Sequence, residues 1–131
     1  MRSFGIAGVA LLWALPALAQ DIDCANTELQ IEMNQCAEQD WQIADDDLNA
    51  AYAETRAVMR EIDAGLPQDE QGAAANLLEA QKAWVIFRDA NCTAEGYAWH
   101  GGSAEALVIY GCLARLTVSR TEDLQAMIAE Q

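Results

Sequence analysis

The chain reads as an all-α protein: a three-helix up-down-up bundle with two disulfides, following a cleaved signal peptide. Three observations predict this. Apolar residues recur every three to four positions over three long stretches, separated by breaks that contain Gly or Pro. Four cysteines, an even number, stand in a small chain that opens on an export-type leader. The one run that resembles a strand, Leu107 to Tyr110, sits inside a helical pattern.

The leader is residues 1–19. Arg2 supplies its charge, Phe4 to Leu15 is apolar and uncharged, and Ala17-Leu18-Ala19 is a small-x-small cleavage site. The apolar run is short for a bilayer, and acidic sequence follows it. Asp21-Ile22-Asp23 ahead of Cys24 is unlike the small apolar residues that precede a lipidated cysteine. Residues 20–131 are then a single domain, periplasmic or secreted, with no membrane attachment once the leader is removed. It keeps six Lys and Arg against 21 Asp and Glu, a formal charge of −15. That balance argues against nucleic acid or an anionic membrane as a partner, since both need basic patches, and favours a basic protein.

The first helix is expected to begin at Thr27, which with Gln30 has the spacing of a capping box. Ile31, Trp41, Ala44, Leu48, Ala51, Tyr52, Thr55, Val58, Met59 and Ile62 form its stripe, and Gly65 and Pro67 stop it. The second pattern runs from Ala73 to Ala98, with Leu77, Leu78, Trp84, Val85, Phe87 and Cys92 on its stripe. His100-Gly101-Gly102-Ser103 makes a turn with Ser103 as the expected N-cap, and the third helix covers Ala104 to about Ile128.

The stretch Gln81 to Cys92 carries the most information. It sets Gln81 and Arg88 on or beside an apolar stripe, where a purely structural helix would carry Leu or Ala. A guanidinium placed there needs carboxylate or carbonyl partners from another element. Heights along the helices, at about 1.5 Å per residue, put Asp45, Gln81 and Arg120 at one level. Arg120 is therefore expected to meet Asp45, with Gln81 and Thr117 or Asn49 completing the layer. Arg88 is expected to meet Glu38, Glu32 or its neighbour Asp89. The same heights favour Cys36 with Cys112 and Cys24 with Cys92, over the alternative of Cys24 with Cys36 and Cys92 with Cys112.

Nothing in the chain proposes catalysis. There is no Ser-His or Cys-His arrangement, and the cysteines are expected to be oxidised. Asp45-Asp46-Asp47 points in three directions around a helix and is not a general acid/base pair. No C-x-x-C pair or His cluster suggests a metal, and His100 is the single histidine. No cofactor is expected.

The order of blocks is nonetheless specific: Cys24, then T-E-L-Q-I-E-M-N-Q-C ending at Cys36, A-D-D-D-L-N-A-A-Y ending at Tyr52, Q-K-A-W-V-I-F-R-D-A-N-C, G-G-S at 101–103, and C-L-A-R-L-T-V-S-R ending at Arg120. Over about residues 24–124 the chain resembles the small exported helical domain named after the LprI-type lysozyme inhibitor. The resemblance implies a helical, disulfide-linked, exported domain and binding to lysozyme, a class of muramidase that is typically strongly basic. The naming member is a lipoprotein; this chain has no lipid-modified cysteine at the matching place. The contact is expected on the Trp99-His100-Gly101-Gly102 turn or on the acidic outer face of the first helix. The alternative is a periplasmic binding or scaffold domain for another partner, without lysozyme activity.

Overall fold

The computed structural model describes residues 21–129; the expected leader lies outside them. Three helices make up the domain: α1 (Gln30–Ala64), α2 (Ala73–Gly96) and α3 (Glu105–Ala129). A 3-10 turn, Tyr97–Trp99, extends the end of α2. The described residues contain no strand.

α1 starts later than its capping-box spacing suggests. The Thr27 hydroxyl bonds the Glu32 carboxylate and accepts the Leu29 N–H at 3.3 Å, while the Gln30 side chain bonds Asn34. The box does not close, and residues 24–29 stay non-helical. Gly65 ends α1 as expected.

α1 and α3 run parallel in a fixed register. Asn34 Nδ2 donates to the Ser103 carbonyl at 3.0 Å, and the buried Thr55 hydroxyl lies 3.1 Å from the Leu124 carbonyl. Both pairs are 69 residues apart, so the two helices keep step over about 30 Å. α2 returns antiparallel between these ends. Gly96 permits the close approach of α2 to α3, because a Cβ there would meet Ile109 Cγ1 at 2.6 Å.

The core has two centres. Leu48, Ala51, Leu77 and Leu124 pack with Tyr52, Met59 and Trp84. Cys92, Cys112 and Leu113 pack with Trp41, Ile109, Tyr110 and Leu116. Ile31, Leu78 and Phe87, expected on the inner stripes, face solvent instead.

The disulfides correct the expected pairing. They join Cys24 to Cys36 and Cys92 to Cys112, with Cα–Cα distances of 5.7 and 5.4 Å. Doubling back to Cys36 is easy for residues 24–29 because α1 starts only at Gln30. Six non-helical residues reach roughly 20 Å, whereas Cys36 lies about 9 Å up the helix. With Asn34 level with Ser103, Cys36 is level with Glu105 and about 10 Å along the bundle from Cys112, so the expected pair is out of reach.

The α1–α2 connection is held by Asp63. Its carboxylate accepts the N–H groups of Gly72 and Ala73 at 2.8 Å and Ala74 at 3.0 Å, so the end of α1 caps the start of α2. These bonds, that of Ala74 foremost, hold the Asp63 pKa below its ordinary 3.8. A lowered acid pKa contributes stability that is present above 3.8 and disappears as pH falls through the lower folded value. Asp63→Ala should lower the melting temperature at neutral pH. The gap from the parent should close in melts taken well below pH 3.8.

Candidate functional site

The polar seam is centred on Arg88, which is only 6 % exposed although it faces three helices. Its Nε donates to Asp89 Oδ1 at 2.9 Å, and its Nη1 donates to Asp45 Oδ1 at 3.1 Å and to Thr117 Oγ1 at 3.4 Å. The guanidinium carbon lies 5.1 Å from the Trp84 ring centroid and 5.8 Å from that of Trp41. The planar fork thus meets two carboxylates and two aromatic rings at once, a set that an ammonium group cannot satisfy. Trp41 also stacks on Tyr110 at 5.7 Å. Burial, and then the nearby Glu38 carboxylate, raise the Tyr110 pKa.

Asp45 belongs to Arg88 and not to Arg120, contrary to the height argument. Arg120 Nε instead donates to Gln81 Oε1 at 3.0 Å, and Arg120 Nη2 is buried with no hydrogen-bond partner among the described residues. The reason is the register. Asn34, and not Glu28 in the first turn of the helix expected from Thr27, is level with Ser103, a displacement of six residues or about 9 Å. Asp45 consequently sits about two turns nearer the hairpin end than Arg120 does. Asn49 bonds Asp45 at 3.3 Å on the exposed side.

Beside the seam Trp41, Arg88, Asp89, Thr93, Ile109 and Leu113 line a cleft of about 240 Å³. Arg88 Nε and Nη1, which border this cleft, are directed at protein acceptors. No group of three or more His, Cys, Asp or Glu among the described residues could hold a metal ion.

The Trp99–Gly102 turn is on the surface. Trp99 is 55 % exposed, and His100 stacks on Tyr97 with ring centroids 4.9 Å apart. Gly101 has φ of 76°, the left-handed conformation that favours glycine. Glu105 holds the turn: its carboxylate lies 3.0 Å from His100 Nδ1 and accepts the Gly101 N–H at 2.8 Å. The His100 hydrogen bond, then that of Gly101, lower the Glu105 pKa.

The acidic outer face of α1, the other expected contact, was named in the sequence without its residues. Asp40, Asp47, Glu54 and Glu61, all exposed, recur every seven residues along α1. Seven residues are nearly two full turns, so these acids form a ridge about 10 Å apart and roughly 30 Å long. Residues 21–64 carry 12 acidic and two basic residues, a formal charge of −10. Residues 73–96 carry three and two, a charge of −1. The spacing was present in the sequence but was masked by the denser Asp45-Asp46-Asp47 run.

Fold and site together define a small, disulfide-stapled helical domain whose polar groups are spent on internal cohesion and whose charge lies on one helix. Comparison with known proteins agrees. Residues 23–124 match the family described as Lysozyme inhibitor LprI, and the chain belongs to that family. It is 38 % identical over 118 residues to an uncharacterized protein of Rhizobium meliloti (strain 1021), covering 86 % of this chain and 85 % of that one. It is also similar to the crystal structure of a DUF1311 family protein from Pseudomonas putida KT2440, with a TM-score of 0.67 and 29 % identity over 81 % of this chain and all of that one. Paired disulfides of this kind mark an extracytoplasmic protein.

Proposed function

We propose that the protein is a periplasmic or secreted inhibitor of a basic, lysozyme-type muramidase, and that it acts by protein–protein binding and not by catalysis. The acidic ridge of α1 carries this reading. A strongly basic enzyme approaching the domain is drawn to the face where Asp40, Asp47, Glu54 and Glu61 stand in line. The exposed turn at Trp99, His100, Gly101 and Gly102 adds an aromatic contact at the hairpin end. Family membership supports the choice of partner.

The test follows cell-wall clearing by a basic lysozyme at low ionic strength as the purified protein is added. Clearing should slow with increasing protein, and added salt should weaken the effect because exposed charges are screened beyond about 8 Å at 0.15 M. Asp47→Lys combined with Glu54→Lys should slow association by about tenfold, since steering acts mainly on the on-rate. Undiminished clearing at large molar excess would overturn the reading and leave a binding or scaffold role for another partner.

A further inference from the structure

The outer face of α2 is built like an interface. Ala80, Ala83, Phe87, Ala90, Ala94 and Tyr97 are all exposed and follow one another at spacings of three and four residues. That is the seam pattern of a helix that packs against another helix. Ile86 flanks it at 72 % exposure, with Phe87 at 56 % and Tyr97 at 64 %. The charged side chains beside the stripe near its start, Glu79 and Lys82, pair with each other at 3.0 Å, while the opposite, inward face of α2 carries Gln81 and the buried Arg88. A helix that is apolar on its solvent side ordinarily has a cover.

We infer that this face pairs with the α2 of a second copy of the chain, antiparallel about a two-fold axis between Phe87 and Ala90. Three observations select this occupant. In the antiparallel alignment Tyr97 meets Ala80 of the second copy, Phe87 meets Ala90, and Ala83 meets Ala94, so each aromatic ring is set against an alanine. Self-complementarity of this kind is what an isologous contact requires. The α2 segment carries a charge of only −1 against −10 for residues 21–64, so two copies meeting through α2 repel far less than two meeting through α1. A strongly basic partner has its complement on α1 instead. The area is on the order of 500 Å² per copy, the lower end for specific association, which makes the dimer reversible and concentration-dependent.

This inference is independent of lysozyme inhibition. The experiment is sedimentation equilibrium of the purified protein from about 1 to 500 μM, with helicity and melting temperature checked for every variant. The mass should rise from one chain toward two across this range. Phe87→Glu and, separately, Ala90→Glu should each weaken association by about 100-fold, because each places like charges across the axis. Asp47→Lys should leave it unchanged. A single-chain mass throughout, or a dimer indifferent to both glutamates, would overturn the inference. Loss of lysozyme binding in folded Phe87→Glu would likewise overturn it, by giving the face to that partner.

Discussion

Arg88→Ala is expected to destabilise the domain by about 3 kcal/mol, because it removes a buried cation together with contacts to two aromatic rings. The lower part of the range for breaking a buried pair applies. The side chains of Asp45 and Asp89 are 38 % and 57 % exposed, so water can take over their solvation once the cation has gone. For a domain of this size the loss corresponds to a fall of roughly 10–15 °C in melting temperature. Arg88→Met should cost much less, on the order of 1 kcal/mol, since it keeps the packing on Trp41 and Trp84 and leaves only exposed acids behind. Thermal melts of the two variants side by side check both values. Equal losses would mean that the charge, and not the packing around it, holds the three helices together.

Removing the Cys92–Cys112 bridge by paired Ala substitutions is expected to cost about 3 kcal/mol from the 20-residue loop alone. A further 1–2 kcal/mol or so should come from the space left behind, as Cys92 and Cys112 are 0 % and 3 % exposed. The same change at Cys24 and Cys36 opens a 12-residue loop and has nearly the same loop term. Cys24, however, is on the surface, so little packing is lost with it. Denaturant unfolding should therefore rank the buried bridge above the exposed one. The reverse order would show that the non-helical segment 21–29 contributes more to the fold than its few contacts suggest.

Much of this architecture could be read from the residues. Gly65 and Pro67 end α1, and Ala73 begins α2, where expected. Their signals are local: a missing Cβ, a missing N–H, a change of period. The start of α1 was misjudged because both groups the box needs are engaged elsewhere: the Thr27 N–H donates to the Asp23 carbonyl, and its hydroxyl accepts the Leu29 N–H and donates to Glu32. The partners of Asp45 and of the cysteines were misjudged for a different reason. They depend on how far one helix slides along another and on which way each residue faces, and a six-residue slide turns one plausible layer into another. The outer face of α2 was illegible for a third reason. With Ile86 and Phe87 on one side and Trp84 and Val85 on the other, periodicity alone does not say which side faces in.

Both bridges and the Arg88 seam lie in the half of the bundle that contains the hairpin turn. Toward the other end the helices are joined by Thr55, by Asp63, by the Arg120–Gln81 hydrogen bond and by apolar contacts around a hollow of about 230 Å³ between Met59, Leu77 and Met127. Cohesion is thus graded along the long axis. Backbone amides near the α1–α2 connection should exchange with solvent through partial opening, while those around Cys92 wait for the whole domain to unfold. The expected behaviour is that of a clamped base carrying a breathing tip.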